Sequence, residues 1–167
     1  MKLRSISQKI LSPKSAERAC KSARSKKKRV VFTNGCFDIL HEGHVQYLQD
    51  ARKKGDFLIV ALDTDQAVRK LKGPSRPVNS LSSRLAVIAA LESVDAVTWF
   101  SGGNPLPTIK KLRPAVLVKG GDWKIPQIIG SKEVLGWKGK VFSLPFVEGK
   151  STSKIISTIV SRNIAKR

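Results

Sequence analysis

The stretch Val30-Val31-Phe32-Thr33-Asn34-Gly35-Cys36-Phe37-Asp38-Ile39-Leu40-His41-Glu42-Gly43-His44 decides the fold. Four β-branched or aromatic residues, Val30 to Thr33, read as a short buried strand, and Asn34-Gly35 is expected to break it. From Gly43 to about Lys53, Val45, Leu48 and Arg52 with Tyr47 and Ala51 follow helical spacing. A glycine turn between a strand and a helix lets backbone N–H groups approach an anion. His41 and His44 lie three residues apart at the helix start, where both can face one phosphate and the helix dipole adds positive potential. These are the only two histidines in the chain. Alternatively, they cap or pack. Cys36 lies five residues from His41 and closes no ligand set with the histidines, so zinc ligation is not expected.

The strand–helix alternation repeats outward from this stretch. Phe57–Leu62, Ala96–Phe100, Ala115–Val118 and Val141–Leu144 read as buried strands. Asp65–Leu71, a helix capped by Asn79 or Ser80 through Leu91, Pro105–Leu112, and a final helix capped by Ser151 or Thr152 lie between or after them. In the last helix, Ile155, Ile156, Ile159 and Val160 make one apolar face. Lys72-Gly73-Pro74-Ser75-Arg76-Pro77 is a loop, and Gly120-Gly121-Asp122 a turn. Apolar strands alternating with helices predict an α/β, Rossmann-like fold: a five-stranded parallel sheet with helices on both faces and ligands at the carboxyl ends of the strands.

Composition narrows the function. The 167 residues fit one domain, and the charge is unusual: 32 Lys and Arg against 12 Asp and Glu, a net +20. Residues 1–29 hold eleven of the cations and one acid, Glu17. Such a charge favours anionic partners, or is a solvated basic face. Ser12-Pro13 starts a helix that runs to about Ser25. Residues 1–28 are therefore expected to be a basic extension with a short helix, and 29–167 the α/β domain. No apolar run is long enough to span a membrane and no secretory signal is recognisable, so a cytoplasmic protein is expected. Cys20 and Cys36 are expected to be reduced thiols. No nucleic-acid recognition module is visible, and aromatic residues are only 6% of the chain, so no specific nucleic-acid partner is expected.

The HxGH pattern after a strand ending in TNGCFD resembles the cytidylyltransferase-like nucleotidyltransferase superfamily, across about residues 29 to 160. The resemblance implies attack of a substrate phosphate on the donor's α-phosphate, with release of pyrophosphate and no covalent enzyme intermediate. His41, His44 and Lys72 are the implied catalytic residues. The nucleotide site would be lined by Thr33, Asn34, Gly35, Phe37, Gly43, Arg76, Lys119, Gly120, Ser151, Thr152 and Ser153. Asp38, Arg84, Asp122 and Trp123 would contact the acceptor. Arg84 could equally be a surface residue, and Asp122 a turn cap.

Within that superfamily TNGCFDILHxGHVxYL, the KGxxRPV loop, VKGGDW and an STS-led helix are most similar to adenylyltransferases that act on heptose 1-phosphate for lipopolysaccharide cores. The implied reactants are ATP, with Mg²⁺ held mainly by its phosphates, and a sugar phosphate. A stand-alone enzyme is implied, because 28 residues before the first strand are too few for a kinase, and a homodimer is expected because dimers are common among relatives. Two positions depart from relatives. Phe146 stands where glycerol-phosphate cytidylyltransferases carry arginine, and Lys150 replaces a small or apolar residue. A transferase using CTP or a polyol phosphate, and a non-enzymatic nucleic-acid-binding protein, are the alternatives.

Overall fold

The computed structural model describes residues 5–145, 147 and 149–164, with only the backbone described for 163 and 164. Phe146 and Glu148 lie outside the described residues. Five parallel strands, β1 (Val30–Gly35), β2 (Phe57–Asp63), β3 (Ala96–Phe100), β4 (Val116–Gly120) and β5 (Lys140–Leu144), form one sheet in the order β3-β2-β1-β4-β5. The order reverses at β1, between β2 and β4, and the crevice at such a switch point is where open α/β sheets bind ligands.

The helices are α1 (Ile6–Lys9), α2 (Pro13–Ser25), α3 (Glu42–Arg52), α4 (Asp65–Lys72), α5 (Leu81–Ala90), α6 (Leu106–Leu112), α7 (Ser131–Gly136) and α8 (Thr152–Ile164). Alternate strand residues feed two separate cores, as the two-residue period of a strand requires. Phe32, Ile59, Ala61 and Leu117 pack against α2, α6 and α7. Val31, Leu58, Val60, Leu62 and Val118 pack against α3 and α5.

Three features differ from expectation. First, β1 does not stop at Thr33: Asn34 and Gly35 pair with Ala61 and Leu62 of β2, which carries the polar motif to the sheet's carboxyl end. Second, β4 continues through Lys119 and Gly120, paired with Ser143 and Leu144, so its turn begins at Gly121 with φ 110°. Third, α1, α7 and the short 3-10 turn Ile125–Gln127 have no counterpart in the sequence reading. Helix α7 is short, lacks a side-chain cap and buries only Ser131 and Val134, so it carries little periodic signal. Gly130 ahead of it has φ 89°, and a Cβ there would lie 2.6 Å from Ile109 Cδ1.

The division of the chain at residue 28 does not fall at a packing boundary. Ala16, Cys20 and Ala23 of α2 are buried in the core shared by β1, β2 and β3. Ahead of α2, Ile10 bridges Val97, and the Leu11 N–H donates to Val97 O at 2.8 Å along the outer edge of β3. Sequence pointed to the helix correctly: Ser12 Oγ accepts from the Ser15 N–H at 3.2 Å, and Pro13 opens the first turn. What charge counting concealed is that the cations ride on the outer face of a helix whose inner face is core.

Replacing the fully buried Ala16 with Asp is expected to lower Tm by at least about 10 °C, since an unpaired buried charge costs several kcal/mol. Cutting residues 1–28 is expected to abolish the cooperative transition. Scanning calorimetry reads both, and an unchanged Tm in the shortened chain would make α2 an appendage.

Candidate active site at the carboxyl end of the sheet

The turn from Cys36 to Leu40 folds back over the end of β1. Phe37 adopts φ 44° and is buried, with its ring against Gly35, where a Cβ would stand 3.0 Å from Phe37 Cε2. That ring meets His44 edge-on, 5.2 Å between centroids. His41 occupies the N-cap of α3, its carbonyl accepting from the His44 N–H at 2.9 Å, and the two imidazoles stack with centroids 3.8 Å apart. A Cβ at Gly43 would lie 3.1 Å from two atoms of the His41 ring. Glycine between the histidines therefore lets the rings close on one another.

Electrostatics keep this pair uncharged. Burial, then His41 and Lys72, push His44 down from 6.5 to about 4. Burial, then Lys150, lowers His41. Nδ1 of each ring is buried without a hydrogen-bond partner among the described residues. Two neutral imidazoles with unsatisfied nitrogens, beside Lys72 and at a helix N-terminus, suit a phosphate group. Lys72 is the exposed last residue of α4, followed by Gly73 with φ 97°.

Several residues expected to touch ligand are instead framework. Asp38 is 4% exposed, and its carboxylate accepts from Arg76 Nε at 2.6 Å, the Val78 N–H at 2.9 Å and the Asn79 N–H at 2.9 Å. Burial pushes this carboxyl up, but those three donors outweigh it and hold the pKa below the usual range. Asp38 is thus consumed in fastening the loop after α4, not offered to an acceptor. Arg84 is neither an acceptor contact nor a surface residue. It is 1% exposed, and it donates to Asn79 O, Cys36 O, Asp63 O and Asp65 Oδ1 at 2.6 to 3.1 Å. The Thr33 side chain does not line the nucleotide site either. It is fully buried, 2.6 Å from Tyr47 Oη, which itself reaches Val118 O.

Other expected residues do gather at the sheet's carboxyl end. Asn34, Gly35, Lys119 and Gly120 end β1 and β4, which are neighbours. Thr152 Oγ1 donates to Ile39 O at 3.2 Å, tying the start of α8 to the histidine turn, while Ser151 Oγ caps α8 through the Lys154 N–H at 3.1 Å. Lys72, Ser75, Arg76 and Ser153 line a cavity of about 500 Å³ with Ser157 of α8. Arg76 Nη2 is buried without a partner among the described residues. Asp122 and Trp123 stand exposed on the turn after β4, the indole Nε1–H donating back to Gly120 O at 3.1 Å.

Sequence reasoning missed Asp63, Cys36 and the Lys150–Glu42 pair. Burial raises Asp63 against the pull of Lys119 and Arg84, and burial lowers Lys119 against the pull of Asp63. Burial, then Asp63, raises Cys36. A charged residue ending the apolar strand FLIVALD was the available signal for Asp63. Lys150 Nζ lies 2.8 Å from Glu42, and its Cβ faces Gly43.

The sequence model of the cytidylyltransferase-like family matches residues 32–163. The chain belongs to the cytidylyltransferase-like family. It is a nucleotidyltransferase, and the stacked histidines sit in the segment that carries the family resemblance. It is 51% identical over 150 residues to the bifunctional protein HldE of Vibrio parahaemolyticus, covering 90% of this chain and 32% of that protein. To HldE of Haemophilus ducreyi it is 52% identical over 139 residues, covering 83% of this chain and 29% of that protein. The chain thus spans about a third of the length of these relatives. A lipopolysaccharide core biosynthesis protein from Thermoplasma volcanium superposes with TM-score 0.61 at 28% identity, covering 74% of this chain and 99% of that one.

Asp38→Asn is expected to cost about 3 kcal/mol, because it leaves the buried Arg76 guanidinium without its counter-charge. Thermal unfolding measures this, and an unchanged Tm would return Asp38 to the role of an acceptor contact. His44 gives a second expectation. The unfolded chain takes up this proton near 6.5 and the folded chain only near 4, so between these pH values the unfolded state binds more protons and stability falls as pH falls. His44→Gln is expected to flatten that part of the Tm-against-pH curve.

Proposed function

We propose that the chain transfers AMP from ATP to D-glycero-D-manno-heptose 1-phosphate, giving ADP-heptose and pyrophosphate, in the cytoplasmic supply of lipopolysaccharide core precursors. The observation that carries the chemistry is the neutral, stacked His41–His44 pair with its free nitrogens at the sheet's carboxyl end. Support for the substrate comes from identity near one half to HldE proteins, and from the similarity of VKGGDW and the KGxxRPV loop to heptose 1-phosphate adenylyltransferases.

An acceptor phosphate oxygen attacks the α-phosphorus in line, the bond from that phosphorus to the α,β-bridging oxygen breaks, and the β- and γ-phosphates leave together as pyrophosphate. His41 and His44 donate N–H bonds to the α-phosphate oxygens as charge builds on them. Their neutrality matters: each ring keeps one donor and one acceptor nitrogen, and a full cation is not needed where Lys72 already supplies one. Lys72 and the free Nη2 of Arg76 offset the charge of the departing pyrophosphate. Asn34, Gly35, Phe37, Gly43, Lys119, Gly120 and Thr152 line the nucleotide. Asp122 and Trp123 remain the acceptor contacts, and Asp63 is added to them as a buried carboxylate suited to sugar hydroxyls. Among the described residues no group of three His, Cys, Asp or Glu is placed to hold a metal ion. Mg²⁺ would arrive on the nucleotide and neutralise phosphate charge there.

His44→Ala is expected to cut kcat at least about a hundredfold while changing ATP affinity by less than about threefold, because its bonds strengthen in the transition state. Pyrophosphate release with ATP, CTP, GTP and UTP, each with heptose 1-phosphate or glycerol 3-phosphate, tests the substrates. Release only with ATP and heptose 1-phosphate is the expected outcome. Release with CTP and the polyol phosphate would overturn the substrate and keep the mechanism.

A further inference from the structure

At the opposite end of the sheet, beside the amino ends of β4 and β5, an open groove of about 640 Å³ draws its lining from three distant segments. Lys21 and Arg24 come from α2, Arg113 from the segment before β4, and Trp137 and Lys138 from the turn before β5. The lining contains no acid. Two of its cations are held in place before any ligand arrives. Arg24 Nη1 donates to Leu112 O and, at 3.2 Å, to Arg113 O. The Arg113 guanidinium lies 5.8 Å from the Trp137 ring centroid, and Trp137 Nε1–H is fixed on Pro114 O at 2.9 Å. Arg113 and Lys138 hold left-handed backbone, φ 46° and 66°, where glycine is the ordinary choice.

The groove does not end at its lining. Lys14, Arg18 and Lys21 are exposed at helical spacing on one face of α2, a row roughly 10 Å long. Exposed Lys26, Lys27 and Lys28 continue from Ser25 at the groove's other margin. Glu17 is the only acid on α2. An open, extended basic track with an aromatic wall suits a flexible strand that alternates phosphates with flat apolar rings. It is a poorer match to a compact ligand, which would need enclosure, or to a lipid surface, which would need no groove.

We propose that this groove and the basic face of α2 bind single-stranded nucleic acid without sequence preference, at a site separate from the nucleotidyl-transfer centre. Phosphates lie along Lys14, Arg18, Lys21, Arg24 and Lys138, and a base packs against Trp137 and Arg113. The binding is independent of the proposed substrates, since the groove and the histidines lie at opposite ends of the strands.

The test is a labelled mixed-sequence single-stranded oligonucleotide titrated against the full chain over a range of salt, with Lys21→Glu/Lys138→Glu and, as an equal-charge control, Lys53→Glu/Lys70→Glu. The groove variant is expected to weaken binding at least tenfold more than the control. Its log K against log salt slope should be shallower by about 1.4, at about 0.7 per lost phosphate contact. Pyrophosphate release should be unchanged in both variants. Saturating ATP should leave binding unaffected, and quenching of indole fluorescence should be lost in Trp137→Phe. The proposal is overturned by equal losses in the two variants, by displacement with ATP, by absence of salt-dependent binding, or by vesicles of anionic lipid binding while the oligonucleotide does not.

Discussion

Everything at the functional end of this molecule hangs on two buried charges of opposite sign. Asp38, in the turn after β1, gathers the loop after α4 through Arg76, Val78 and Asn79. Arg84, on α5, reaches the other way, to Cys36 O on that turn, Asp63 O at the end of β2 and Asp65 at the start of α4. Neither is easily replaced piecemeal, because a buried charge that loses its partner keeps its desolvation cost. Between them they fix where β1, β2, α4 and α5 present their polar ends. Only with those ends fixed does Lys72 act on His44, and only then is Arg76 held at the cavity beside α8.

Burial and charge work together on the histidines in a way the net charge alone would not suggest. A chain of +20 already favours phosphate-bearing ligands at long range. A further pair of imidazolium ions at the reaction centre would repel one another and Lys72. Burial, reinforced by Lys72 beside His44 and Lys150 beside His41, avoids this by making protonation of the stacked pair unfavourable, so the rings contribute directional hydrogen bonds while the lysines contribute charge. The two jobs are divided between residues of different pKa.

Much of the fold was legible because its signals are local. The apolar runs at 57–62 and 96–100 could only be buried strands, and Ser12-Pro13 and Ser80 announce their helices by capping chemistry. The histidine turn was legible as a pattern of small, polar and aromatic residues at fixed spacing. The errors share a cause as well. Asp38, Arg84 and Thr33 look like ligand contacts because they are polar and sit in or near the motif, yet each is occupied by a partner far away in sequence. Which carboxylate is free and which is already bonded is a tertiary fact. The same holds for α2: one stripe of Ala16, Cys20 and Ala23 was outweighed by the cations around it, although burial depends on the stripe and not on the average.

The hydrogen bond from Leu11 to Val97, with the Ile10 bridge beside it, has a colloidal consequence. An open parallel sheet ends in two strands whose outer backbone groups are templates for another chain. Here the segment ahead of α2 lies along the β3 margin and occupies part of that template. The β5 margin opens instead with Lys140, an exposed cation. One edge is therefore blocked by the chain's own backbone and the other marked with charge, so stacking of one molecule's sheet onto the next is disfavoured at both ends.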